Sequence, residues 1–288
     1  MNAYLEILRP GNAIMAVIAV ILIAIIAKNY NLPIILCALA VFIVTGGGNV
    51  INDYFDYKID AINKPSRPIP SGRISLKNAY TYASLLFITA IILGITISYL
   101  IDNFIPALII ALSSLLMYYY AHTLKKIALI GNIAVSLLTG LCFIFAGIII
   151  AYDGDIVSLK IVAISAYIGF FAFLMTMARE ITKDMEDIEG DKVEKARTFP
   201  IKYGLKISSY LATSLMILAI VLSPLLYIYN IFNIYYILIL LIGIIMFLYG
   251  VYKILKDQNP ETCAKVSKFI KIGMMIVFIA FTIGSISF

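Results

Sequence analysis

The stretch NVINDYFDYKID, Asn49 to Asp60, sets three aspartates and two asparagines in twelve residues at the end of an uncharged run, 29–52. If that run continues as a helix, Asn52, Asp56 and Asp60 fall at i, i+4 and i+8 and share one slanted stripe. Asp53 lies three residues before Asp56 and flanks the same face. Carboxylates at the end of a membrane-length apolar segment are costly unless something compensates them. Oxygen donors of this kind suit a hard divalent ion, and Mg²⁺ commonly joins one or two carboxylates to the phosphate oxygens of a substrate.

The pattern occurs twice. In EITKDMEDIEGD, Glu180 to Asp191, a shift of 131 residues superposes Lys183 on Asn52, Asp184 on Asp53, Asp187 on Asp56 and Asp191 on Asp60. Packing the two helices together would gather six carboxylates at one membrane boundary, where they repel one another unless cations are present. A single cluster could equally be a solvated helix end or pair with nearby lysines. Two clusters of the same spacing favour a metal site that holds a diphosphate. A general acid–base pair leaves most of the carboxylates unexplained. Lys183 stands where Asn52 stands in the first cluster, so the two half-sites are expected to differ.

The elements that must position these residues follow from composition. Of 288 residues 62% are hydrophobic and 13% charged, whereas a soluble domain carries about 25% charge. With a mean hydropathy of +1.01, the chain reads as an integral membrane protein. Its net charge of +6 does not call for nucleic acid, because basic residues in such a protein set topology and attract anionic lipid. Charge-free windows near the ~20 residues needed to span a bilayer fall at 11–27, 32–51, 78–100, 104–121, 127–150, 157–178, 207–228, 233–252 and 270–288. Lys160 and Lys271 trim the sixth and ninth, and Pro224, Asn230 and Asn233 divide the long window 207–252. Glu6 and Pro10 ahead of the first window favour a transmembrane helix over a cleaved signal.

With nine spans, all Lys and Arg except Lys28 and Lys160 fall on one side. The positive-inside rule then puts the N-terminus and both acidic clusters at the cytoplasmic face of the cell membrane, and the C-terminus outside. The expected fold is an all-α bundle of nine transmembrane helices in a single domain, 1–288. It comprises two four-helix pseudo-repeats of like orientation, about 1–126 and 127–255, and a ninth helix over about 270–288.

Other residues have plainer readings. Cys37, Cys142 and Cys263 stand singly, without metal-ligand spacing. Gly46, Gly47 and Gly48 lie inside a membrane helix without a G-K-[ST] ending, which points to close helix packing rather than a phosphate loop. His122 fits an interfacial or packing role. Tyr118, Tyr119 and Tyr120 fit either an aromatic belt or a cavity wall. Asn12 and Asn132 are polar residues expected to be buried.

The motifs in combination resemble the UbiA superfamily of intramembrane prenyltransferases. NDYFDYKID resembles its N-D-x-x-D-x-x-x-D motif, DMEDIEGD its D-x-x-D-x-x-x-D motif, and SRPIPSG, Ser66 to Gly72, its R-P-[IL]-P-S-G loop. YAHTLKK, Tyr120 to Lys126, and the IGN ending at Asn132 resemble its Tyr/Lys and Gly-Asn elements. Within the superfamily, the RPGN start, the GGGNVINDYFDYKID run and the length are most similar to the archaeal-type digeranylgeranylglyceryl phosphate synthases.

The resemblance implies Mg²⁺ ions bridging a prenyl donor's diphosphate to both motifs. Asn52, Asp56, Asp187 and Asp191 would coordinate directly, with Asp60, Asp53 and Asp184 next; Asp56, Asp60, Asp187 and Asp191 would be catalytic. Arg67, Lys125 and Lys126 would neutralise the leaving diphosphate, and Tyr120, Asn12, Asn132 and Lys183 would line the substrate cavity. The acceptor would be lipid-like, geranylgeranylglyceryl phosphate, or in the wider family an aromatic or quinone precursor. No motif encodes an oligomeric state. Paired intramembrane carboxylates on repeated helices also describe cation-coupled transporters, whose sites usually lie nearer the midplane. The D-G-x-x-A-R cluster of CDP-alcohol phosphotransferases is absent from the sequence.

Overall fold

The computed structural model describes residues 2–152, 156–193 and 196–287. Among these the long helices are α1 (Pro10–Ala27), α2 (Leu32–Phe55), α3 (Leu76–Leu100), α4 (Ile105–His122), α5 (Ile130–Ile150), α6 (Ile156–Glu186), α7 (Leu205–Leu222), α8 (Ile234–Lys256) and α9 (Pro260–Gly284). They account for nine candidate membrane spans, in agreement with the charge-free windows. Short helices Ala3–Ile7, Tyr57–Asn63, Ile188–Val193 and Phe199–Tyr203 lie between or before them. Among the described residues there is no strand, only an isolated bridge between Ile127 and Arg197.

Helix ends follow local chemistry. Asn31, Ser75, Asn233 and Asn259 accept backbone N–H groups at the starts of α2, α3, α8 and α9, which relieves donors that have no partner within the helix. The division of the window 207–252 is observed: α7 stops at Leu222, Pro224 opens the short helix Leu225–Ile228, and Asn230 takes a left-handed φ of 55°. Two expected spans need correction. α6 encloses Lys160 and reaches Glu186, and α9 starts at Pro260 and carries Lys265, Lys268 and Lys271 rather than covering 270–288. Lysine stems can lie along a helix end while the ammonium group reaches the interface, so a charge-free window marks the apolar slab and not the helix.

The chain divides into two compact units, residues 1–124 with 141–165 and residues 125–140 with 166–288. In the first, α2 packs against α1, α3 and α4. The three glycines let neighbours approach on three sides. A Cβ on Gly46 would lie 2.8 Å from Leu8, on Gly47 3.0 Å from Phe87, and on Gly48 2.6 Å from Met117. Along α3, Leu85, Ile88, Ile92 and Ile95 are exposed, a stripe suited to lipid. In the second unit α8 packs against α7 and α9. The hydroxyls of Tyr167 and Tyr236 donate to the carbonyls of Leu222 and Ser223, covering the acceptors left at the end of α7.

Candidate active site

In the first unit the acidic motif straddles a bend. α2 ends at Phe55, Asp56 leaves the helical region (φ −88°, ψ 3°), and the helix resumes at Tyr57. The hydrogen-bond ladder survives the bend: the Asp56 N–H donates to the Asn52 carbonyl at 3.0 Å and the Asp60 N–H to the Asp56 carbonyl at 2.8 Å. The i, i+4, i+8 succession Asn52–Asp56–Asp60 is therefore kept. The Asn52 carboxamide donates to Asp56 Oδ2 at 3.0 Å, and both side chains are half-buried.

Asp53 and Asp60 are in a different situation. Each is only 3% exposed. Arg67 Nη1 donates to Asp60 Oδ2 at 2.5 Å and lies 3.3 Å from Asp53 Oδ1, while Arg9 Nη2 donates to the same Asp53 oxygen. Both guanidiniums come from sharp chain features. Arg9 has a left-handed φ of 48° immediately before Pro10. Arg67 opens a turn in which its carbonyl accepts Ser71 Oγ at 2.7 Å and Gly72 takes a φ of 76°. Asn49, one turn before Asp53, donates to the Leu8 carbonyl at 2.8 Å. Arg73 grips Glu6 through two hydrogen bonds, 2.6 and 2.9 Å. This bidentate contact holds the Glu6 carboxyl below its ordinary range and ties the loop to the chain start.

In the second unit the bend recurs at Asp187, between α6 and Ile188–Val193. The Asp187 N–H meets the Lys183 carbonyl at 2.9 Å and the Asp191 N–H meets the Asp187 carbonyl at 3.0 Å. Asp184, the counterpart of Asp53, accepts Asn132 Nδ2 at 2.8 Å. Asp187 is exposed, and Lys183 and Asp191 are half-buried. The Arg197 N–H donates to the Lys126 carbonyl at 2.9 Å, which fixes the chain that follows this motif to the Lys125–Lys126 turn.

Asn132 is buried as expected, but Asn12 is exposed. Asn12 sits in the first turn of α1, where Arg9 and not Asn12 reaches α2. His122 packs against Phe55 and Tyr118, with ring centroids 4.9 and 6.2 Å apart. Tyr118 is thus taken into an aromatic cluster, Tyr119 is exposed, and Tyr120 is half-buried. Arg9 and Asn49 are site residues beyond those that the aspartate spacing singles out. The signal was available in the i, i+4 relation of Asn49 and Asp53, which share one face of α2.

Among the described residues no three Asp, Glu, His or Cys side chains converge into a cage that would hold a metal ion by itself. The donors are nevertheless hard oxygens, as in the Asn52–Asp56 pair, and Mg²⁺ is usually held by one or two carboxylates together with substrate phosphates and water. The residues fit Mg²⁺ that arrives with a phosphorylated ligand.

A model of the UbiA prenyltransferase family matches residues 13–279. The chain belongs to the UbiA prenyltransferase family. Among relatives, it is 56% identical to the digeranylgeranylglyceryl phosphate synthase of Methanobrevibacter smithii, over 99% of this chain and 98% of that one. It is 51% identical to the Methanosphaera stadtmanae enzyme of the same name, over 99% and 100%. A solved structure from work on digeranylgeranylglyceryl phosphate synthase in membranes is 42% identical and superposes with a TM-score of 0.82, over 99% and 98% of the two chains. An Archaeoglobus fulgidus UbiA homologue bound to GPP and Mg²⁺ shares the fold at 18% identity, TM-score 0.65, over 97% and 99%. The UbiA assignment accounts for the nine apolar helices found among the described residues and for the two repeated aspartate motifs of the sequence.

Proposed function

We propose that this chain is a Mg²⁺-dependent prenyltransferase that moves a geranylgeranyl group from its diphosphate to the free hydroxyl of geranylgeranylglyceryl phosphate, in ether-lipid biosynthesis. The observation that carries this reading is 56% identity to a digeranylgeranylglyceryl phosphate synthase across 99% of the chain. We assign Mg²⁺ ions to the two motifs, to Asn52 and Asp56 in the first and to Asp187 and Asp191 in the second; when bound, the ions would offset negative charge on the diphosphate oxygens. The allylic C–O bond breaks with its electron pair leaving on diphosphate, and the acceptor oxygen bonds to that carbon as its proton passes to the released diphosphate or to water. Arg67 supplies fixed positive charge to the diphosphate, where charge develops, and Lys125 and Lys126 supply it to the acceptor's phosphate. The Tyr120 ring offers a π face to the allylic cation.

The basic-residue bias supports a cytoplasmic N-terminus and acidic motifs with an external C-terminus. Protease cleavage of terminal tags in sealed, oriented vesicles tests this, and cleavage of an N-terminal tag from outside would reverse it. The decisive assay for function is purified protein with Mg²⁺, geranylgeranyl diphosphate and a panel of acceptors, with the lipid product identified by mass. The expected product is digeranylgeranylglyceryl phosphate. Efficient prenylation of an aromatic acid with none of that lipid would move the chain to another branch of the family. Cation uptake in proteoliposomes without any prenyl product would point instead to a transporter.

A further inference from the structure

We propose that Arg179 binds the acceptor's phosphate, and so makes the enzyme select a phosphorylated lipid over the corresponding neutral alcohol. The inference rests on the prenyltransferase reading and adds a specificity residue to its second half.

Arg179 lies in α6, within the apolar span Ser158–Glu186. A cation inside such a span is costly and points to a functional contact. Only part of its hydrogen-bonding capacity is met. Arg179 Nη1 donates to Glu180 Oε1 at 2.6 Å, the two side chains being 29% and 16% exposed. Arg179 Nε is buried and meets no acceptor among the described residues. Buried donors are nearly always paired, so an open one calls for a partner. A guanidinium held at one corner still offers a planar fork that matches phosphate oxygens.

The repeat shows that this cation belongs to the second half alone. The shift of 131 residues sets Arg179 on Gly48 and Glu180 on Asn49. In the first unit neither position carries charge. A Cβ on Gly48 would lie 2.6 Å from Met117 Sδ, and Asn49 donates to the Leu8 carbonyl. Lys183, which takes the place of Asn52, stands one turn after Arg179, so Arg179, Lys183 and Asp187 fall at i, i+4 and i+8. The second helix thus puts two cations behind its aspartates where the first has a glycine and an asparagine.

The anion that suits Arg179 is not the donor's diphosphate. Arg179 precedes Asp187 by eight residues, about 12 Å along a helix axis. The Cα–Cβ bond of a helical residue also tilts toward the helix N-terminus, here away from Asp187. A diphosphate assigned to Asp187 and Asp191 leaves the Arg179 fork for a second anion. The proposed reaction supplies one in the acceptor's phosphate monoester, which carries a charge of about −1.5 to −2 at neutral pH. That much charge takes more than one cation, and the Lys125–Lys126 turn belongs to the same compact unit as Arg179.

The test uses detergent-solubilised full-length protein with Mg²⁺ and geranylgeranyl diphosphate. Two acceptors are compared, geranylgeranylglyceryl phosphate and geranylgeranylglycerol, which lacks the phosphate. Arg179→Gln should raise KM for the phosphorylated acceptor at least about tenfold. It should leave donor KM, and the affinity for geranylgeranylglycerol read as KM or as an inhibition constant, within about threefold, since it removes binding to one group only. Arg179→Lys should fall between, because it keeps the charge and loses the fork. An equal loss on both acceptors, or a donor KM that rises with the acceptor KM, overturns the proposal. Should Arg179→Gln fail to fold, Arg179→Lys decides: a loss confined to the phosphorylated acceptor sustains the proposal, and an equal loss on both overturns it. Wild-type protein that makes no digeranylgeranylglyceryl phosphate removes the functional reading itself, whereas an active wild type with an unchanged acceptor KM in Arg179→Gln removes only the role of Arg179.

Discussion

Asp56 and Asp187 occupy the same place in the two motifs, at the residue where each helix bends and resumes. At both, the backbone N–H stays within the ladder, to the Asn52 and Lys183 carbonyls. Replacing either carboxylate by the isosteric amide removes charge and keeps shape, so Asp56→Asn and Asp187→Asn should fold normally. Turnover should fall by at least about a hundredfold, the scale seen when one electrostatic partner of a transition state is removed. Turnover in membranes, set against an unchanged thermal midpoint, measures this, and near-normal rates in both variants would refute the assignment. Spacing alone made these aspartates legible, because i, i+4 periodicity on a helix is a geometric fact. It did not identify the partners of Asp53 and Asp60. These partners, Arg9 and Arg67, lie in non-helical segments whose course depends on a left-handed residue and a turn, which periodicity does not describe.

At the scale of elements, helix count and order were legible because apolar length is dictated by bilayer thickness. The helix ends were less so: α6 and α9 continue past the apolar slab, carried by capping and by lysines that can reach the interface. Glycine placement is where sequence and packing meet most directly. A Cβ on Gly140 of α5 would lie 2.6 Å from the carbonyl oxygen of Gly169 in α6. That neighbour is main chain and cannot rotate aside as the Met117 side chain beside Gly48 can. Gly140→Leu should therefore force the helices apart at a cost of about 1–3 kcal/mol. The thermal midpoint should drop by roughly 5 °C. Gly11, in the first turn of α1, has nothing within 4 Å of such a Cβ, so Gly11→Ala should leave the midpoint unchanged or slightly raised. Equal behaviour of the two variants in a detergent melt would show that the close approach carries no stability.

For the whole molecule the open chemical question is how one chain handles two anionic amphiphiles. The prenyl tails of both substrates can stay in lipid, so selectivity must come from the head groups. The donor's diphosphate brings more charge than the acceptor's single phosphate and fits the oxygen-rich motifs with Mg²⁺. The acceptor phosphate needs a basic contact of its own, which a neutral aromatic acceptor would not. Arg67 is bound to Asp60 and Asp53, in the motif that also holds the Asn52–Asp56 pair, and in the proposed assignment it serves the donor. Lys125 and Lys126 lie in a separate turn, fixed through the Lys126 carbonyl to the Arg197 N–H. That turn is the better candidate for the acceptor. With both substrates varied, Lys125→Ala should raise the acceptor KM about tenfold or more and barely alter that of the donor, since it removes binding to one substrate only. Arg67→Ala should show the reverse. The effect of Lys125→Ala should shrink at high ionic strength, because the contact it removes is ionic and near the surface. A Lys125→Ala variant whose two KM values rise together would place that cation on the diphosphate, and the acceptor phosphate would then have to be met elsewhere on the basic face.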